Sequence, residues 1–298
     1  MKINFTKYII LVFLVFIKQQ VYADTIFFDS KQINIEDEGN LIYSGKGTAK
    51  IPNQKLVING NRSIYNKLIS ELIVLGDVEF FDNLNDTIIE SEEAIYNETD
   101  NTILSKGKTI IRIEEKYEIV SKNVLYDRDS MKIISELYTI IYDDLNNIYY
   151  FKDGFIFDAI HEVISSKTTN IIDSENNSYL FEKAQVNLKT KELAGKELRV
   201  DFVNNFFGDE ENDPRLKGKS ATSDEKKTII HKAVFSTCNI ENKKCRGWEI
   251  QSEEFKHDKI KKLFEYKNSW FKVFDKRVFF LPYLNHPDPT VERKSGFL

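Results

Sequence analysis

The chain has 298 residues, of which 41% are apolar, 13% aromatic and 30% charged, with 22 Phe and 14 Tyr against only 12 Gly and 5 Pro. That side-chain volume builds a core and excludes a disordered or collagen-like chain. The formal net charge is −5, and its basic residues are scattered among acids. This argues against nucleic acid as a partner, because phosphate binding is driven by counterion release around clustered Lys and Arg.

Taken in chain order, the first element is a leader. Lys2 and Lys7 precede an apolar run from Tyr8 to Ile17, and Val21-Tyr22-Ala23 places modest side chains where a signal peptidase cuts. The run is about half of the roughly 20 residues that a membrane-spanning helix needs. Residues 1–23 are therefore expected to be a signal peptide removed after Ala23, which exports a more acidic mature chain into an oxidising compartment.

The rest of the chain favours strands, because its aromatics come with many Ile, Val and Thr. The expected fold class is all-β, and the strands repeat. Ile33 to Ile51, with Gly45 and Gly47, reads as an opening unit. Four clear units follow at Ile64-Tyr65-Asn66, Ile95-Tyr96-Asn97, Leu125-Tyr126-Asp127 and Ile156-Phe157-Asp158, their aromatics 31, 30 and 31 residues apart. Seven residues after each aromatic stand Leu72, Ile103, Ile133 and Ile164, and fifteen after it stand Phe80, Ile111, Ile141 and Ile172. With the residues just before the aromatics, Ile64, Ile95, Leu125 and Ile156, these twelve are separated by even numbers, which predicts one shared interior wall. Gly76 and Gly107 suit turns that need positive φ, and Leu137 and Thr168 replace them in the next two units. Val186 with Leu193, and Phe255 to Phe274, are weaker copies; the polar stretch from Asn204 to Lys227 is expected to be a surface loop. Each unit is too small to bury a face alone, so the units must stack. Period alone leaves open a right-handed solenoid or a jelly roll of antiparallel strands. It also does not separate a lipid-holding trough from a dry core.

Reactive chemistry is sparse. His161, His231, His257 and His286 lack ligand spacing, no nucleophile elbow or phosphate loop occurs, and His257-Asp258 reads as a turn, so neither metal nor cofactor is expected. Carboxylates abound without a recognisable pairing, which leaves a β-solenoid enzyme acting on polysaccharide as the rival from the enzyme class. Cys238 and Cys245 bracket a polar loop, and a local disulfide between them is expected; pairing beyond the end of the chain is the alternative, and a zinc site would lack two ligands.

A set of C-terminal motifs adds a resemblance. Thr237-Cys238, Gly247-Trp248-Glu249-Ile250, His257-Asp258, Val278-Phe279-Phe280-Leu281-Pro282-Tyr283, His286-Pro287-Asp288-Pro289-Thr290 and Arg293-Lys294-Ser295-Gly296-Phe297-Leu298 together resemble the segment joining periplasmic domain to barrel in the lipopolysaccharide-assembly outer-membrane family LptD (organic solvent tolerance, OstA). The resemblance implies an open OstA-like β-jelly roll over residues 24–235 and a connecting segment over 236–298, leading into an outer-membrane barrel that this chain does not reach. It implies a lipopolysaccharide-transport function rather than an enzyme, with the twelve repeat residues as lipid-trough candidates. The implied partners are lipopolysaccharide, a periplasmic jelly-roll bridge protein paired edge to edge through Asp24 to Ile51, and, in a full-length form, the barrel with its lipoprotein. The implied place is the periplasmic face of the outer membrane. A soluble bridge protein of the same jelly-roll type is the alternative.

Overall fold

The computed structural model describes residues 25–203, 213–238, 247–287 and 291. The expected signal peptide with Ala23 lies outside them, as do Cys245 and the C-terminal motif residues 288–290 and 292–298.

The fold is all-β and jelly-roll-like. Its 26 strands form one continuous antiparallel sheet, and the antiparallel register, seen in pairs such as Ile111↔Ile119 and Tyr126↔Ile133, decides against a right-handed solenoid, whose coils stack strands in parallel. The sheet is creased along a seam into two facing walls. Among the described residues, eight long strands, such as Glu71–Asp82 and Thr87–Asn97, run through both walls. Nine short strands belong to each wall alone, the first wall opening with Phe27–Ser30 and the second with Ile33–Glu36.

The crease has a local cause. A regular strand cannot turn so sharply, so the backbone enters the left-handed region at Gly76 (φ 75°), Asp77 (φ 47°), Gly107 (φ 77°), Asn123 (φ 51°) and Gly154 (φ 83°). Between Leu75 and Val78 the register shifts, because two residues bulge against one on the neighbouring strand. At Gly154 a Cβ would stand 2.2 Å from the carbonyl oxygen of Ser135, so no other residue fits. Small hydroxyl residues fill the narrow angle beside the seam. Ser121 bonds Ser135 and Thr139 at 3.2 and 2.6 Å, and Ser252 bonds Ser269 at 2.8 Å, all of them buried. Larger residues fill the widening space beyond, where rings from opposite walls meet: Phe80 and Tyr96 at 6.3 Å, and Tyr117 edge-on to Phe157 at 5.5 Å.

Three expectations need correction. The residue before each aromatic faces outward. Tyr65 pairs directly with Leu72, Tyr96 with Ile103, Tyr126 with Ile133 and Phe157 with Ile164; these partners share a face although they stand an odd seven positions apart. A four-residue hairpin resets the odd-even count, so each aromatic points inward and Ile64, Ile95, Leu125 and Ile156 point out. Ile172 also faces outward, with Ile171 buried in its place, because the corner after Ile164 is one residue shorter than the corner after Ile133. Second, Arg215–Ser223 is a strand and not a loop: Leu216 and Ala221 are buried, and the polar composition belongs to the outward alternate positions. Third, residues 248–287 do not stand apart as a connector. Trp248–Asp258, Leu263–Val273 and Lys276–Pro287 extend both walls, and Phe255, Phe264 and Tyr266 join the same core. His257-Asp258 does end a strand at a turn, where the Lys261 amide donates to Asp258 at 3.0 Å.

Candidate functional site

The interior between the walls is the candidate site. In the first wall, one inward residue from every strand lines up with its neighbours, from Phe28 through Ile58, Phe80, Ile89, Ile111 and Ile119. The file continues through Ile141, Tyr149, Ile171 and Tyr179. Val200, Leu216, Phe235, Ile250, Phe271 and Phe279 complete it. Every position is apolar or aromatic. At roughly 4.8 Å per strand the file is about 75 Å long. The second wall answers with aromatic and aliphatic residues in alternation, from Tyr65, Leu72, Tyr96 and Ile103 to Tyr126, Ile133, Phe157 and Ile164.

Of the twelve trough candidates, Leu72, Phe80, Ile103, Ile111, Ile133, Ile141 and Ile164 lie in these interior files, each 0 or 1% exposed. The other five, Ile64, Ile95, Leu125, Ile156 and Ile172, stand on the outer faces, with Leu125 36% and Ile156 46% exposed.

Opposite the seam, the hairpin turns of the two walls meet, and here a buried ion pair joins them. Arg128, at the turn after Tyr126 in the second wall, donates to both carboxylate oxygens of Asp82 in the first wall, at 2.8 and 3.1 Å; the two side chains are 1% and 0% exposed. Arg128 also donates to the Gln54 carbonyl at 3.0 Å and to Asn101 Oδ1, while Tyr126 donates to Asp82 at 3.3 Å. Burial by itself pushes the Asp82 carboxyl up, but Arg128 outweighs it, with help from Asn85 and the Leu84 amide, and holds the group below the usual carboxylate range. Burial pulls Arg128 down and Asp82 more than restores it. Both partners are therefore ionised at neutral pH. Further along, the Tyr117 hydroxyl of the first wall donates to Glu162 of the second at 2.7 Å, and burial together with this bond pushes its ionisation up.

Sequence reasoning missed this clasp, because counting along the chain puts Tyr126, and with it Arg128, on the outer side, and only the hairpin register turns them inward. Asp82 follows Phe80 by two residues, and Arg128 follows Tyr126 by two. Opposite charges thus occupy inward positions, where an unpaired charge is not tolerated.

Among the described residues the interior is open at its N-terminal end. Phe27–Ser30 pairs with Gly47–Ile51 and Ile33–Glu36 with Leu41–Ser44, each on one side alone among the described residues. Ile33 and Ile35 face inward yet are 48% and 61% exposed, because no further strand among the described residues covers them.

Cys238 is buried and disulfide-bonded; Cys245, the other of the chain's 2 cysteines, lies outside the described residues. Non-reducing mass spectrometry of the chain is expected to show the Cys238–Cys245 peptide lacking two hydrogens, whereas two alkylatable thiols would contradict that pairing. Among the described residues no group of three or more His, Cys, Asp or Glu is placed to hold a metal ion, and no helix is long and apolar enough to cross a membrane. No protein-family model and no curated protein matches the chain.

Proposed function

We propose that the chain is a lipopolysaccharide-transport module of outer-membrane assembly. It takes lipopolysaccharide from a periplasmic bridge protein docked at its open end, holds the acyl chains between its walls and delivers them towards an outer-membrane barrel with its lipoprotein partner. The observation that carries this reading is the unbroken apolar file from Phe28 to Phe279. Each buried methylene contributes about 0.8 kcal/mol, and successive rungs of similar chemistry make successive positions nearly equal in energy, so a chain held there slides. Because the interior residues are already packed against each other, acyl chains enter by parting the walls at the mouth, with the seam as hinge. The reading requires no cofactor and no catalytic residue, and it places the chain at the periplasmic face of the outer membrane.

A second reading, a soluble bridge protein of the same type, is favoured by the strands left with a single partner at both ends among the described residues, Phe27–Ser30 and Ile33–Glu36 at one and Lys276–Pro287 at the other.

Photo-crosslinking side chains at Ile111 and Ile141 are expected to label lipopolysaccharide, and those at the outward neighbours Ile110 and Ile140 are not. Labelling from the outward pair alone would overturn the trough. Turnover of an acidic polysaccharide would instead favour the enzyme class.

A further inference from the structure

The outer face of the second wall carries a feature that the interior trough does not use. Its outward residues Tyr43, Ile64, Ile73, Ile95, Leu104 and Leu125 pair rung to rung, and Ile134 and Ile156 continue the row. This apolar track is about 34 Å long at roughly 4.8 Å per strand. Beyond Ile156 the same row turns to Ser165, Gln185, Ala194 and Thr222. Where these smaller residues replace Ile, the surface sinks into a groove of about 710 Å³, floored by Ile134, Ile156, Ser165, Ala194 and Thr222.

The seam-side rim of that groove carries three neighbouring lysines. Lys183 stands directly opposite Lys196, and Lys167 lies one step along the ladder from Lys183, since Ser166 pairs with Ala184. All three lysines line the groove. Like charges directly opposite each other on a sheet are destabilising, and among the described residues none of these lysines joins an ion pair; the ion pairs nearest in sequence are His161–Asp158 and Arg199–Asp201. Glu136 and Asp153 continue the same seam-side rim beside the next two strands, where Asp153 accepts a hydrogen bond from the hydroxyl of Thr168, the neighbour of Lys167, at 2.6 Å.

Three successive ammonium groups beside an apolar floor match a ligand with an anion at one end and hydrocarbon at the other. We propose that this groove binds one phosphate-bearing phospholipid on the outside of the second wall, its phosphate on Lys167, Lys183 and Lys196 and its acyl chain along Ile156 and Ile134. The site is separate from the interior, so it stands whether or not the trough carries lipopolysaccharide.

Calorimetric titration of the full chain with monomeric short-chain phosphatidylglycerol tests it, with phosphatidylcholine of the same chain length and inorganic phosphate as the other arms. Phosphatidylglycerol is expected to bind, and the Lys183→Gln/Lys196→Gln double variant to weaken it by about tenfold or more, the equivalent of roughly 1.4 kcal/mol. Ala194→Phe, which fills the groove and leaves the lysines in place, is expected to weaken it similarly. Both changes are on exposed outward positions, and unchanged thermal unfolding of the variants keeps the comparison clean. Equal affinity for phosphatidylcholine, binding of inorganic phosphate as tight as that of the lipid, or full binding by the double variant would each overturn the proposal. So would a homodimer in sedimentation that Ala194→Phe dissociates, because the groove would then belong to a second copy of the chain.

Discussion

Arg128→Met is expected to lower the unfolding free energy by about 3–5 kcal/mol, the usual cost of removing one partner from a buried ion pair. The reason is what remains. Asp82 keeps its place between the walls but loses the guanidinium that offset its burial, and Asn85 with the Leu84 amide cannot replace a charge. Asp82→Asn should cost a similar amount, since it strands the cation instead. The double variant Asp82→Leu/Arg128→Met removes both charges and should be more stable than either single variant, which urea denaturation at neutral pH measures directly. If the single variants unfold like wild type, the pair does not hold the walls together.

Acid titration gives the same argument a second readout. The Asp82 carboxyl lies below its ordinary value when folded. Its contribution is therefore fully present above the unfolded carboxylate pKa of about 3.9 and is lost as pH falls through the lower folded value. In Arg128→Met the chief lowering influence is gone and burial dominates, so the folded value rises above the unfolded one. The sign then reverses: the buried carboxyl penalises the folded state at neutral pH and ceases to do so once protonated. The variant should thus recover part of its deficit near pH 4, where wild type is starting to lose stability.

The all-β fold and its stacked repeat were legible because strand, corner and hairpin each recur in every unit, and because Gly76 and Gly107 mark corners that need positive φ. What periodicity could not supply was the parity of the hairpins. Counting by twos carries a face along one strand, but the four-residue turn between Tyr126 and Ile133 shifts the count by one. For this reason counting by twos puts the residue before each aromatic on the wrong side. The lysine row was illegible for a related reason. Lys167, Lys183 and Lys196 are separated by unequal intervals in sequence and become neighbours only through the register of three strands. The clasp depends on the same kind of long-range placement, since Asp82 and Arg128 belong to different repeat units and to opposite walls.

A proline at Ile35 is expected to abolish docking of a jelly-roll partner at the open N-terminal end while leaving the fold intact, and the register gives the reason. The Gly45 amide donates to the Gln32 carbonyl at 2.9 Å, so Gln32 and Gly45 form a hydrogen-bonded pair. Bonded and non-bonded pairs alternate along an antiparallel ladder, and Ile35 faces Ile42 at a non-bonded position. The amide of Ile35 therefore points away from Leu41–Ser44, towards the uncovered edge where an added strand would accept it. Proline there removes a donor that no other described residue uses, and an edge strand tolerates its fixed φ. Asn34→Pro is the contrasting variant: it deletes an amide directed at Tyr43 and should loosen the strand Ile33–Glu36 itself. Co-sedimentation with the bridge protein, alongside thermal unfolding of each variant, separates the cases. If Ile35→Pro folds normally and still binds, the partner uses another edge; if it folds normally and binding disappears, the partner's strand pairs here and covers Ile33 and Ile35, continuing the interior file from one molecule into the next.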